Sequence, residues 1–120
     1  MRVASLLLAV LIAGTGLAAA DDRHDVQTLL DMCKQPAAQV KSSICIGYIS
    51  GVADLMRVMA VSKHKDVRGP FGMCHEGEAP SRGAMMQAFI VWADKHPEEW
   101  QKDMLVGVVE ALSDTWRCGT

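Results

Sequence analysis

The sequence lacks the features that mark several common classes of protein. Basic residues form no block and are outnumbered by acidic ones, twelve to fourteen, whereas nucleic-acid binders are normally basic. There is no HExxH motif and no nucleophile elbow. No segment shows the alternation of a half-buried strand. We therefore predict a protein that is not an enzyme, that needs no cofactor or metal, and that has no nucleic-acid partner.

The first twenty residues follow the pattern of a secretory signal peptide. Arg2 gives a positive start, an apolar run follows at positions 6–12, and small residues lead up to Ala20. The run is too short for a membrane span, which needs about 20 apolar residues. We predict that residues 1–20 are removed and that residues 21–120 form one periplasmic or secreted domain, free of the membrane after cleavage. Loss of Arg2 leaves eleven basic and fourteen acidic residues, a net charge of −3.

The exported chain contains an even set of cysteines, namely Cys33, Cys45, Cys74 and Cys118. Such a set in a small exported protein favours two disulfides. Buried reduced cysteines are the alternative, and they would be favoured only in a cytosolic protein. The spacings of 12, 29 and 44 residues give no zinc knuckle.

Apolar residues that recur every three or four positions predict two helices before the middle of the chain. The first covers about residues 21–35 and stops at Pro36, which lacks an amide donor. The second covers about residues 44–61, with Ser42 or Ser43 as its N-cap. The predicted core positions of these helices are Val26, Leu29, Leu30, Cys33, Ile44, Tyr48, Val52, Leu55, Met56 and Met59.

A long loop and two further helices complete the predicted fold. Glycines, prolines and mixed charges mark residues 62–80 as the loop. The third helix covers about residues 81–95, and the fourth begins at Pro97 and ends near Cys118. Their predicted core positions are Met85, Ala88, Phe89, Trp92, Leu105, Val108, Val109, Leu112 and Trp116. The predicted fold class is all-α, a small disulfide-linked bundle of about four helices with one long loop.

The helix order favours one disulfide pairing among the three that four cysteines allow. Short connections make neighbouring helices antiparallel, so the first helix ends at Cys33 beside the start of the second at Cys45. The second helix ends near the loop that carries Cys74, and the fourth runs back toward that loop and ends at Cys118. We expect links 33–45 and 74–118.

Two glycines lie one turn apart on the second helix. Glycine costs about 1 kcal/mol of helix propensity relative to alanine, so we expect close packing at Gly47 and Gly51 to offset that cost. Another helix of the same chain is the favoured neighbour, and another protein is the alternative. Tyr48 has a hydroxyl that needs a partner, and we assign it to core packing before protein contact.

The same residues carry a resemblance to a known family. "CIGYISGVAD", a later cysteine, "HPEEW" and "VVEALSDTWRC" resemble the Rap/Tai family of type VI secretion amidase immunity proteins. The resemblance covers most of the exported chain. Two positions depart from the family pattern: His75-Glu76 follows Cys74 where a proline is frequent, and Arg117 replaces the proline before Cys118.

The resemblance implies an all-α, disulfide-linked and often dimeric periplasmic protein. It implies that the chain binds and blocks a peptidoglycan-cleaving amidase, and that no catalytic residue carries over because the family is inhibitory. Loops on a rigid scaffold commonly carry recognition, so we place the partner-binding residues on the long loop. They are Arg68, Phe71, His75 and Glu76, with Phe71 as the aromatic anchor.

Two alternatives remain open at this point. Methionines such as Met56, Met59, Met85 and Met86 supply adaptable apolar surface, which would suit a periplasmic stress chaperone or general protein-binding module. His64 and His75 share the long loop and could hold a metal, but we favour a solvated loop.

Overall fold

The computed structural model describes residues 23–62 and 72–119, and this part of the chain is helical. It contains α1 (Val26–Cys33), α2 (Val40–Val61), α3 (Arg82–Lys95), a short 3-10 helix (Pro97–Glu99) and α4 (Met104–Thr115). The only β-type pairing in these residues consists of two isolated bridges. The prediction of an all-α bundle of about four helices is confirmed. The predicted signal peptide lies outside the described residues.

Side chains cap the helices α1 and α3 where the sequence changes from loop to apolar periodicity. The Thr28 amide donates to Asp25 Oδ1 at 2.8 Å at the start of α1. The Ala84 amide donates to Ser81 Oγ at 3.1 Å at the start of α3. Each bond satisfies one of the amides that a helix N-terminus leaves without a backbone partner.

The start of α2 differs from the prediction. The helix begins at Val40, and its N-cap residue, Gln39, makes no side-chain capping bond. Ser42 is a buried residue within the helix and Ser43 is an exposed one. The predicted serine cap is therefore wrong, because the helix starts two residues before the first serine.

The predicted fourth helix is divided into two elements. Pro97 starts only the 3-10 helix, and α4 begins at Met104 with Asp103 as its cap, whose carboxylate accepts from the Leu105 amide at 2.8 Å. The turn between them is fixed by Trp100, whose Nε1 donates to Ala93 O at 2.8 Å. The single helix predicted from Pro97 onward is thus replaced by a short 3-10 helix, a turn and α4.

The hydrophobic core lies between helices that each contact the other three. The predicted α1 stripe is confirmed, since all four of its positions are buried. On α3, Met85, Phe89 and Trp92 are buried as expected, together with Ala93. On α4 the buried positions include Val108 and Leu112, as predicted.

The buried face of α2 is rotated from the predicted face. The helix buries Ser42, Cys45, Ile49, Ser50, Ala53 and Met56. Ile44 and Leu55, predicted as core, are 51% and 58% exposed. On α4, Leu105 was also predicted as core and is 46% exposed, while Met104 beside it is buried. Both α2 and α4 carry apolar residues on their outward side as well as on their inward side. The sequence pattern therefore does not distinguish the two sides.

Two disulfides fix opposite ends of the bundle, with the predicted pairing. Cys33 is linked to Cys45 across the turn between α1 and α2, with a Cα–Cα distance of 5.2 Å. Cys74 is linked to Cys118 with a Cα–Cα distance of 4.7 Å, which ties the chain before α3 to the end of α4.

Within the described helices, α2 alone has the length and apolar composition that a membrane span requires. Core helices of globular proteins meet the same criteria. Here Cys45, Ile49 and Ala53 are completely buried, and α2 contacts α1, α3 and α4. One side of the helix therefore packs in the core of the bundle.

Candidate functional site

The end of the predicted binding loop is held rigidly against the bundle. Met73 is buried and forms an antiparallel bridge with Arg117. The Cys74 amide donates to Trp116 O at 3.0 Å, and the Cys74–Cys118 disulfide closes the same junction. The segment 72–74 is therefore an anchored part of the fold, and the chain beyond it emerges from a fixed point.

The predicted partner-binding residues fall into two groups. His75 and Glu76 are exposed and follow directly after the anchored segment. Arg68 and Phe71 lie outside the described residues, as does His64. The structure thus places two of the four predicted contact residues side by side on the surface, and the role of all four stays a prediction.

A cavity of about 560 Å³ lies beside the anchored segment. Its lining residues come from the last turns of α2 and from the segment after the loop: Asp54, Arg57, Val58, Ala60, Val61, Met73, Cys74 and His75. Arg57 Nη1 and Asp54 Oδ1 are 3.3 Å apart in an exposed ion pair. The cavity offers a cation, a carboxylate, an imidazole and aliphatic surface, which suits recognition of a mixed polar and apolar protein surface.

A second concave surface was missed by the sequence reasoning. A groove of about 330 Å³ runs between α2 and α4. Its lining is almost entirely apolar and consists of Val52, Leu55, Met56, Met59, Leu105, Val106, Val109 and Glu110. The signal was present in the sequence, because several of these residues formed part of the predicted stripes, but it was assigned to the core.

The predicted close packing at the α2 glycines is not found among residues 23–62 and 72–119. Gly47 and Gly51 are exposed, and a Cβ atom added to either would meet no atom of these residues within 4 Å. The close helix approach occurs instead at Gly107 of α4. A Cβ atom there would overlap the Cγ2 methyl of Val26 and would lie 3.5 Å from the Trp92 ring.

Tyr48 lies at the edge of the core, half-buried against it. Burial raises the pKa of its phenol above the ordinary value, and the nearby charge of Asp103 adds to that effect. Both influences keep the hydroxyl protonated. Tyr48 therefore offers a neutral side chain between the core and the outer surface of α2.

The described residues offer no candidate metal site. No group of three or more His, Cys, Asp or Glu side chains within residues 23–62 and 72–119 could hold a metal ion. All four cysteines are in disulfides.

Comparison with known families decides the relationship that the motifs indicate. The sequence matches the family described as Rap1a immunity proteins over residues 25–118. The chain belongs to this family. The match covers all four helices and both disulfides, and it confirms the resemblance to the Rap/Tai immunity proteins. No curated protein and no solved structure matches the chain.

Membership of the Rap1a family indicates that part of the exposed surface binds a partner protein. An immunity family implies a partner effector to which the chain binds, and such families are in general non-enzymatic. The two disulfides and the family are consistent with a location outside the cytoplasm. Among the described residues, the cavity at His75 and the groove between α2 and α4 are two candidate surfaces for that partner.

Proposed function

We propose that this Rap1a family member is an exported periplasmic immunity protein that binds and inhibits a type VI secretion peptidoglycan amidase. It inhibits the effector by binding to it and catalyses no reaction itself. It works as a homodimer after residues 1–20 are removed. The observation that carries the proposal is the family match over residues 25–118. The two disulfides support it, because they require an oxidising compartment such as the periplasm.

The anchored segment supports a role for the loop end in binding the amidase. A segment that is already ordered loses less conformational entropy when it binds, and the Cys74–Cys118 link holds segment 72–74 in place. His75 and Glu76 extend from that fixed point beside the cavity. The acidic balance of the exported chain would also favour approach to a basic cleft.

The experiment is a rescue and inhibition assay with type VI secretion peptidoglycan amidases, beginning with any that is encoded beside this chain's gene. The amidase is directed to the periplasm of a test cell with and without this protein, and purified amidase is assayed on peptidoglycan. Unaltered protein should prevent lysis and abolish peptidoglycan cleavage. Failure to bind any cell-wall hydrolase would overturn the immunity function.

Paired variants locate the binding surface. His75→Ala together with Glu76→Arg should weaken inhibition while circular dichroism shows an intact fold. Asp31→Arg on α1 is the matched control, because it is exposed and lies near the other disulfide end of the bundle. Full inhibition by the His75/Glu76 variant would move the site away from the loop end.

A second candidate function is a stress chaperone or general protein-binding module. The apolar groove between α2 and α4 favours it, because such a surface could receive unfolded segments. Suppression of the aggregation of unrelated unfolded proteins, in the absence of any amidase binding, would place this function first.

A further inference from the structure

The disulfide at the end of the long loop lies within reach of solvent. Cys74 belongs to the lining of the cavity at His75, and Cys74 and Cys118 are both partly exposed. The cysteines of the other link, Cys33 and Cys45, are buried. Thiol–disulfide exchange requires that an attacking thiolate reach a sulfur atom. A thiol reductant therefore has access to the link beside the candidate partner surface and not to the other one.

The two sulfur atoms of this link have different surroundings. Gly72 is buried, and a Cβ atom added to it would lie 3.0 Å from Cys118 Sγ and 3.3 Å from Ala60 Cβ. The Gly72 backbone therefore covers Cys118 Sγ on the side that faces the end of α2. Cys74 lies at the cavity instead. A thiolate that enters through the cavity should therefore attack the sulfur of Cys74.

The link is the covalent part of a small junction. Met73 is buried and forms a bridge with Arg117, and the Cys74 amide donates to Trp116 O at 3.0 Å. A single backbone hydrogen bond contributes little net stability. When the disulfide is open, segment 72–74 keeps these non-covalent contacts, and we expect it to separate from the end of α4 more often by local opening.

We propose that the Cys74–Cys118 disulfide is a redox-sensitive clasp: a dithiol reductant opens it and thereby lowers the affinity of the surface at His75 for the effector. The proposal rests on the proposed function, because it describes the regulation of that same surface. The helical core remains folded in the opened state, because the buried Cys33–Cys45 link and the contacts among the four helices are retained.

The reaction is a thiol–disulfide exchange in two steps. A thiolate of the reductant forms a bond to the Cys74 sulfur, and Cys118 leaves as a thiolate that takes up a proton. The second thiol of the reductant then attacks the mixed disulfide, which releases Cys74 as a thiol and leaves the reductant as a disulfide. Two electrons and two protons pass from the dithiol to the protein. A disulfide oxidant reverses the reaction and closes the clasp.

The effect on affinity follows from the order that the clasp provides. His75 and Glu76 are exposed and follow directly after the clasped segment. Fixing the backbone of one further residue on binding costs about as much free energy as a tenfold change in dissociation constant. We therefore expect the opened protein to bind the effector at least about tenfold more weakly than the closed protein.

The first test measures the clasp without any effector. Limited dithiothreitol treatment is used to open only the 74–118 link, as checked by mass spectrometry, and amide hydrogen exchange is followed by NMR. The Cys74 amide should exchange at least about tenfold faster in the opened protein. The Lys34 amide, which donates to Leu30 O beside the buried link, is the matched control and should not change. Unchanged exchange at Cys74 would overturn the proposal, whether or not an amidase binds.

The second test measures binding to the amidase in both redox states. Reduction should raise the dissociation constant at least about tenfold, and reoxidation should restore it. A Cys74→Ser/Cys118→Ser variant should bind as weakly as the opened protein and should not respond to dithiothreitol, which separates the clasp from any effect of the reductant on the amidase. If this variant fails to fold by circular dichroism, the titration of the unaltered protein decides.

The outcomes separate this proposal from the proposed function. Equal affinity in both redox states would show that the clasp does not regulate binding and would overturn the proposal. If neither state binds any cell-wall amidase while exchange at Cys74 still responds to reduction, the immunity function is wrong and the clasp stands.

A trapping experiment tests which sulfur is attacked. A thioredoxin whose second active-site cysteine is replaced by serine cannot complete the second step and stays bound as a mixed disulfide. Peptide mapping should find this bond at Cys74. A bond at Cys118 would overturn the proposed direction of attack, and a bond at Cys33 or Cys45 would show that the buried link opens first and would overturn the clasp.

Discussion

Among the described glycines, Gly107 has the least room for a side chain, and a stability prediction follows from that. We expect Gly107→Ala to destabilise the fold by about 1–3 kcal/mol, because the new methyl would overlap Val26 and force α1 from α4. Gly51→Ala adds the same methyl in open space and should stabilise the monomer by up to about 1 kcal/mol through helix propensity. Urea unfolding of both variants measures the difference, and an unchanged free energy of unfolding for Gly107→Ala would contradict the α1–α4 packing.

The turn after α3 predicts a shifted carboxyl pKa. His96 Nδ1 lies 2.9 Å from Glu98 Oε1, and this hydrogen bond lowers the pKa of Glu98 below its ordinary value. The stabilisation from a lowered carboxyl pKa is complete above the ordinary value and is lost as the pH falls through the pKa of the folded state. NMR titration should find that Glu98 protonates at lower pH than an unpaired glutamate, and that His96→Ala raises its pKa. An unchanged titration of Glu98 in the variant would show that the pair does not form in solution.

At the scale of single elements, α4 depends on a cap that the sequence reasoning did not identify. Asp103→Ala removes the acceptor of the Leu105 amide and should cost about 1 kcal/mol, or a fall of about 4–8 °C in melting temperature for a domain of this size. Asp103→Asn retains an acceptor and is the matched control. A loss of equal size in both variants would assign the effect to the charge of Asp103 and not to the cap.

The serines near the start of α2 provide the opposite test. Ser43 was predicted as a cap, but it lies inside the helix and is exposed. Ser43→Ala should therefore leave the melting temperature unchanged or raise it slightly, because alanine has the higher helix propensity. A fall comparable with that of Asp103→Ala would restore the predicted cap.

Most helices could be predicted from local pattern, and the differences arise where pattern is ambiguous. The α1 stripe has polar residues on its other side, so only one register buries its apolar residues. On α2 both sides are apolar, and periodicity cannot distinguish Ile49, which is buried, from Ile44 and Leu55, which are exposed. The tight contact at Gly107 depends on the position of Val26 on α1, and the sequence of α4 carries no information on that position.

At the scale of the whole molecule, the candidate site could be predicted in part. Helix order alone gave the disulfide pairing, and with it the position of His75 and Glu76 near a fixed junction. The groove between α2 and α4 could not be predicted, because it requires knowing which side of α2 faces the core. Apolar residues lie on both the buried and the exposed sides of α2, so its sequence pattern alone does not identify the buried side.

The two disulfides differ in accessibility, which predicts the order in which they are reduced. Cys33 and Cys45 are 3% and 0% exposed, whereas Cys74 and Cys118 are both partly exposed. Thiol–disulfide exchange needs access of the attacking thiolate to a sulfur atom. Limited treatment with dithiothreitol, followed by alkylation and mass spectrometry, should therefore label Cys74 and Cys118 first.

We expect the disulfide that contributes more to stability to be the one that is reduced first. The chain-entropy account assigns about 4 kcal/mol to the 74–118 link, which closes 44 residues, and about 3 kcal/mol to the 33–45 link, which closes 12. The link that contributes more is thus the one that opens first, and its opening leaves the Met73–Arg117 bridge and the bond from the Cys74 amide to Trp116 O as the recorded contacts that hold the segment before His75 to the end of α4. Paired serine variants of each disulfide, compared by urea unfolding, measure the stability order. Alkylation of Cys33 and Cys45 before the other pair would mean that the α1–α2 turn opens more readily than its burial indicates.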